Sequence, residues 1–363
     1  MRFNLAFAHL SMALGAVTAA PATMAKPNNN LPAYSFRPEA DESYWKSSLP
    51  VLFNFSTSQF DKTVNGKAAA SSYWTSSFLT GHNKRQYLAI SHAFTDMHNS
   101  SYYRSSVLDL NDLEVYHSKV TYSNDTVLQS DSLLKLTLAQ NGFESTSVDN
   151  VSQMRTWSNH GKVKFNIKYN ATSSVIVDGG MGLFTFGNGL SYEWGLPSCR
   201  TEGSVTLDGH EITIDPSNSF TWYDRQWNDG LPVGGNWTWF QLHLPNSRTK
   251  FSIWAIEDEV TKRADYFTTI RLEDGSQNLV PVTFLPDYTR QWHSPASGFY
   301  YPQDWTLIVG DYATLRVSSA TKNQEIVGNT VFSTAYEGFV TFDGEIDGQY
   351  VDGYGVVEVL FTS

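Results

Sequence analysis

Residues 221–227 read T-W-Y-D-R-Q-W. On an extended chain successive side chains alternate, so Trp222, Asp224 and Gln226 share one face, and Thr221, Tyr223, Arg225 and Trp227 share the other. Asp224 and Arg225 are therefore neighbours without being partners. A carboxyl held beside an indole loses water, which disfavours its charged form and raises its pKa. Such a group can hold and give a proton near neutral pH. Two readings of Asp224 follow. It is a general acid or hydrogen-bond donor in an apolar pocket, or it is a buried carboxylate paired with a distant arginine or lysine that ties strands together.

Two other stretches mix rings with polar groups. In W-T-W-F-Q-L-H-L, 237–244, Thr238, Phe240, Leu242 and Leu244 form the expected core face, and Trp237, Trp239, Gln241 and His243 the opposite one. In Y-E-W-G, 192–195, Tyr192 and Trp194 oppose Glu193. Aromatic surface dotted with a few hydrogen-bonding groups suits an apolar ligand carrying a few oxygens. The candidate ligand contacts are Tyr192, Trp194, Trp222, Tyr223, Gln226, Trp237, Trp239 and Gln241. Asp224, Glu193 and His243 are the candidate catalytic groups. Nucleophile-elbow, zinc-protease, dithiol and phosphate-loop motifs are absent from the sequence, so acyl, thiol and phosphoryl chemistry lose their usual support. The nine histidines are scattered, and His92 and His98 are too weak a pair to call for a metal. No metal and no cofactor is expected.

Strands must position these residues. In K-V-K-F-N-I-K-Y, 162–169, Val163, Phe165, Ile167 and Tyr169 alternate with polar residues, as in a half-buried antiparallel strand. Similar alternation recurs along the chain. Asn65-Gly66, Asp208-Gly209, Asp274-Gly275, Asp343-Gly344 and Asp352-Gly353 are read as turns. The fold class is all-β, in two units of similar size. N-D-G-L-P-V-G-G, 228–235, is the expected junction, giving domains over 34–229 and 230–363.

Residues 1–19 read as a secretory signal peptide: Arg2, an apolar run too short to span a membrane, and a small-residue cleavage site. A polar leader over 20–33 follows. Secretion makes the sequons at Asn54, Asn99, Asn124, Asn150, Asn170 and Asn236 candidate glycosylation sites. The lone Cys199 can form no disulfide within the chain and is expected buried. The net charge of −11, without a basic face, argues against a nucleic-acid partner. The expected partner is a hydrophobic small molecule, with no membrane span; oligomeric state stays open.

The central stretch L-S-Y-E-W-G-L-P-S-C-R-T-E-G-S-V-T-L-D-G-H-E-I-T-I, followed by F-T-W-Y-D-R-Q-W and N-W-T-W-F-Q-L-H-L, resembles the lipocalin-like carotenoid 1,2-hydratase/AttH-type family. S-S-Y-W-T-S-S-F-L-T-G, 71–81, and Y-E-G-F-V-T-F-D-G-E-I-D-G-Q-Y-V-D-G-Y-G-V-V-E-V-L, 336–360, extend the likeness over most of the chain. The resemblance implies two tandem lipocalin-like β-barrels, with a ligand site near the barrel mouths and the domain interface. It implies Asp224 as the acid. Arg225 and Asn228 depart from the bacterial D-H-x-W-G form, so no imidazole role carries over. Fungal members of the family either add water to a prenyl alkene or catalyse Diels–Alder and hetero-Diels–Alder cyclisations. The chain is read here as a [4+2] cyclase of a polyketide or terpenoid substrate, in which Asp224, Tyr223 or His243 polarises an oxygen. One alternative is a hydratase, in which Asp224 protonates the alkene and Glu193 or His243 positions water. The other is a non-catalytic lipocalin-type carrier.

Overall fold

The computed structural model describes residues 33–41, 49–95, 101–123 and 133–363, and the backbone of 127–129. The signal peptide, the leader up to residue 32, His98, Asn99 and Asn124 lie outside the described residues. The chain is all-β apart from short helical turns, in two large antiparallel sheets. The first has fourteen strands and runs from residue 70 to 228. The second has nine strands, and a pairing between Ala313–Ser319 and Ala335–Ile346 closes its ring into a barrel. The sheets change over between Asn228 and Asn236, at the Gly- and Pro-containing segment.

Alternation builds three cores from these two sheets. The strand Val163–Asn170 alternates buried and exposed at every residue, as its sequence predicts. In Phe220–Asn228, Tyr223 and Trp227 enter the interior of the first barrel. In Asn236–His243, Phe240 and Leu242 enter the interior of the second. The opposite faces of both strands are also buried, because Trp222, Trp237 and Trp239 meet in a third core between the barrels. Tandem strands with two apolar faces are thus explained: each has a barrel interior on one side and the other barrel on the other.

The turn readings divide. Asn65-Gly66 and Asp208-Gly209 both have two consecutive positive φ angles, the geometry of tight hairpins. Asp343-Gly344 and Asp352-Gly353 are not turns. They pair with each other inside two long strands, and the hairpin lies at Asp347-Gly348. Their glycines answer a different need: a Cβ on Gly344 would sit 2.0 Å from the Thr314 carbonyl oxygen, and one on Gly353 2.3 Å from that of His243. Close backbone approach and tight turning select the same residue.

Cys199 is buried, and burial pushes its thiol up to about 12. Among the sequons, Asn54 caps a four-residue helix through a 3.1 Å bond from the Thr57 amide, and Asn170 is exposed. Asn236 is half-buried and donates to Glu257. Asn150 corrects its reading as a glycan site. It is 5 % exposed with a positive φ, and its Oδ1 accepts the Leu134 amide at 2.6 Å, so this side chain is turned inward to hold the chain.

Candidate active site

The strand Phe220–Asn228 lies between Ala70–Thr80 and Gly189–Leu207. Residues directly opposite in a sheet share a face, so register defines rows across it. One row runs Gly195, Asp224, Trp74, His92, Arg104. The next, two residues along, runs Glu193, Gln226, Ser72, Phe94, Tyr102. The second barrel answers with the row Trp254, Trp239, Glu358, Glu337. Trp74 and Trp239 meet edge to face at 5.1 Å. Between these rows is a narrow cavity with about 40 Å³ of free space. Trp74, Trp237, Trp239, Trp254, Phe94 and Phe186 give it aromatic walls.

Asp224 and Glu193 open onto one end. They are 4 % and 3 % exposed. The Trp222 indole donates to Asp224 Oδ1 at 2.7 Å, which leaves Oδ2 to carry a proton. Gly195 makes this possible. Asp224 lies over it so closely that a Cβ there would be 2.1 Å from Oδ1. Burial raises both carboxyls well above the carboxylate range, and the buried carboxyl of Asp178 raises them further. Asp178 itself is pushed up to about 7 by burial. No ion pair reaches these carboxyls among the described residues, and burial keeps Asp224 and Glu193 protonated at neutral pH.

No arginine or lysine pairs with Asp224 among the described residues, which goes against its salt-bridge reading, and Arg225 is engaged elsewhere. The guanidinium points into the first barrel, lying over Tyr73 and Trp227, and donates to the carbonyls of Ser58 at 3.1 Å and Asp61 at 2.7 Å. The pleat separates it from Asp224, as the alternation predicts.

Arg104 marks the other end of the row, three strands or roughly 14 Å from Asp224 at the usual strand spacing. Its Nη2 lies 3.0 Å from Glu337 and 3.8 Å from Glu358. The same guanidinium donates to His92 Nδ1. Arginine can only donate, so Nδ1 accepts and the His92 proton sits on Nε2, facing Ser72 Oγ at 2.8 Å. Burial and Arg104 hold His92 well below the usual imidazole range, hence neutral. Trp237 donates to Glu358 at 2.7 Å. Glu337 is pushed up to about 8 by burial, with Arg104 acting against the shift. Ligand atoms of His92, Glu337 and Glu358 fall within 4.8 Å of one another, but Arg104 already supplies the cation at their centre.

Of the residues expected to contact a ligand, Gln226, Trp237 and Trp239 line this cavity, together with Asp224 and Glu193. The others lie elsewhere. Tyr192 stacks on Trp227 at 5.1 Å in the first barrel. Trp194 donates to Ser58 Oγ and Tyr223 to Gln59 Oε1 in that same interior. These three sit on the wrong side of their strands to reach the cavity. Trp222 contacts it only through Asp224. Gln241 donates across the interface to Ser76 Oγ at 2.5 Å. His243 borders a separate cavity, behind Trp222. Trp74, Trp254, Phe94, Tyr102, Glu358 and Asp178 were missed by motif reading. The register that brings them together is not written in any one strand, and Asp178 sits on a short turn without periodicity.

Two tandem β-barrels meeting over an acid-bearing aromatic cavity are matched by a known family. Residues 80–360 match the AttH-like family model, and the chain belongs to the AttH-like family. It is 43 % identical to kievitone hydratase of Fusarium solani subsp. phaseoli over 331 residues, covering 91 % of this chain and 92 % of that protein. It is 36 % identical to the dehydratase asqC of Emericella nidulans over 337 residues, covering 90 % and 94 %. The crystal structure of kievitone hydratase from Nectria haematococca superimposes with a TM-score of 0.84 at 38 % identity, over 91 % of this chain and 99 % of that one. CghA shares the fold at a TM-score of 0.58 and 11 % identity, over 92 % of this chain and 98 % of its own.

Proposed function

We propose that the protein is a hydro-lyase, adding water to or removing it from a carbon–carbon double bond of an apolar small molecule, with Asp224 as the acid. The observation that carries this reading is the pair of buried carboxyls, Asp224 and Glu193, opening together onto an aromatic cavity. In the hydration direction, the Oδ2 proton of Asp224 passes to the less substituted alkene carbon as the π electrons form the C–H bond. The cation left on the other carbon lies among indole faces, Trp74 and Trp239 nearest the row, which stabilise positive charge. Water adds its lone pair to that carbon, and its surplus proton returns to the Asp224 carboxylate. Glu193 holds the water by accepting its hydrogen bond. Dehydration is the same path reversed.

The 43 % and 36 % identical relatives support this reading, since one is named a hydratase and the other a dehydratase. The [4+2] cyclase reading needs shape and one donor, and leaves the second acid unused. CghA, at 11 % identity, shares the fold alone. Secretion stays part of the proposal, carried by residues 1–19, with Asn54 and Asn170 as the exposed sequons among the described residues.

Purified protein incubated with panels of prenylated flavonoids, polyketides and tropolones, followed by mass, tests the chemistry. We expect a product heavier or lighter by one water, with one deuterium from heavy water fixed on carbon in the hydration direction. A product of unchanged mass and altered retention overturns the hydro-lyase in favour of the cyclase, and binding without turnover overturns it in favour of a carrier.

A further inference from the structure

A second cavity, of about 430 Å³, lies behind Trp222, away from the acid pair. Its walls come from three places: the segment Ser35–Asp41, the first barrel at Ser198 and Phe220, and the second barrel at His243 and the 244–250 loop. Its character is opposite to that of the first cavity. Arg37, Arg248 and Lys250 line it, and Arg271 is buried behind. The acids facing them are Glu39 and Asp41, with Glu273 bound to Ser247 and the Arg248 amide at the edge. Glu39 is shared by Arg248 at 3.5 Å, Lys250 at 3.7 Å and Arg271. Asp41 is engaged by Arg248 at 3.0 Å and by Ser174. Arg37 makes no ion pair among the described residues and stands exposed at the rim. Four bases thus face three acids in a chain whose formal charge is −11.

His243 points to what this surplus is for. It is 1 % exposed, boxed by Phe78, Phe220, Trp222 and Tyr354, and neither ring nitrogen has a hydrogen-bond partner. A buried imidazole needs a donor and an acceptor, and rings supply neither. The cavity is the polar space it borders. Burial, then Lys250 and Arg271, hold this imidazole well below its usual range, so the field at the ring is positive even with Glu39 nearby.

The geometry points to an oxyanion site in this second cavity: a small ligand carrying a carboxylate or a phosphate, bound by Arg37 in the field of Lys250, whose ammonium donates to the Ser247 carbonyl at 2.5 Å, with one oxygen toward His243. The site is independent of the reaction proposed above, and its test needs no turnover. The anion takes its strength from charge-assisted bonds, which weaken with salt. Lys250 is brought down to about 8 by burial. Loss of the Lys250 charge weakens anion binding, so affinity falls as pH rises through that value.

The test titrates the full-length protein with succinate, with inorganic phosphate and with chloride, by calorimetry and by tryptophan fluorescence, since Trp222 lies 5.5 Å from the His243 ring. We expect saturable binding of succinate or phosphate, weakened about tenfold by Arg37→Ala, in line with the loss of one charged hydrogen bond, and further by Lys250→Met, which removes a charge from the site. Succinate alone binding assigns a carboxylate ligand, and phosphate alone assigns a phosphorylated one. Arg37 is at the surface, so its variant folds even if the buried Lys250 variant does not. Absence of saturable binding to the wild type overturns the site, as does equal binding of chloride or affinity unchanged by Arg37→Ala.

Discussion

The side chains around the cavity form two clusters built from the same kind of residue, and they behave differently. In one, Asp224, Glu193 and Asp178 are buried without an ion pair among the described residues. In the other, Glu337 and Glu358 are buried around Arg104. A carboxyl taken out of water either keeps its proton or finds a counter-charge. The acid end takes the first course and becomes a proton donor. At the arginine end Glu337 is raised as well, to about 8, but Arg104 opposes that shift, and the cluster braces the barrels, because Arg104 belongs to the first sheet and both glutamates to the second. Chemistry and cohesion are thus separated along a single row of side chains.

Removing charge at each end should break the molecule in different ways. Asp224→Asn keeps an oxygen to accept the Trp222 indole but has no acidic proton. We expect turnover to fall ~10²–10⁴-fold, the usual worth of a general acid, with melting temperature unchanged or raised. Steady-state kinetics beside a thermal melt reads both. Activity retained within a few fold would remove Asp224 from the chemistry. Arg104→Met is the converse. It leaves two buried glutamates unpaired and should cost about 3–5 kcal/mol of stability, measured by urea unfolding. A loss below about 1 kcal/mol, the range of surface ion pairs, would show that the two ends do not differ as argued.

Gly195 sharpens the comparison, since it begins the row that Arg104 ends. Gly195→Ala places a methyl 2.1 Å from Asp224 Oδ1 and 3.1 Å from the Trp222 indole nitrogen. The carboxyl must swing away or the strands part. We expect a ~10–100-fold loss of turnover with about 1–3 kcal/mol of destabilisation, the usual cost of overpacking. Because the carboxyl leaves its indole bond, the pH at which activity falls should shift as well, which a purely structural defect would not do. An unchanged pH profile would reduce Gly195 to a packing residue.

Sequence made one half of this architecture legible. Alternation placed Asp224 and Gln226 opposite Arg225 and Trp227, and Glu193 opposite Tyr192 and Trp194, because the pleat is a local property. It did not say which face met the ligand. Tyr192, Trp194 and Tyr223 are aromatic like the cavity walls, yet they fill a barrel interior, and composition does not distinguish the two burials. The partners across strands, Trp74 for Asp224 or Glu358 for Trp239, depend on register between segments far apart in the chain. His243 shares a strand face with Trp239 but lies four residues along, past the edge of the cavity. Asp343-Gly344 and Asp352-Gly353 failed as turns for a similar reason, since a glycine is demanded equally by a tight turn and by a crowded strand.

The mildest test bears on Asp178, the acid without any motif. Its folded value of about 7 stands above the ordinary 3.8. Between those values the folded protein holds a proton that the unfolded chain has released. Its contribution is therefore fully present below about pH 3.8 and lost as pH rises through about 7, with a slope of at most about 1.4 kcal/mol per unit. Glu193 and Asp224 add slopes of the same sign, so wild-type stability should decline across neutral pH. Asp178→Asn has no proton to lose. Its unfolding free energy should match the wild type near pH 4 and exceed it near pH 8, a crossing visible in urea titrations at the two pH values. Glu337→Gln, at the other end, also removes a carboxyl, one raised to about 8, so by the same sign it should gain on the wild type as pH rises toward 8, later than Asp178→Asn does.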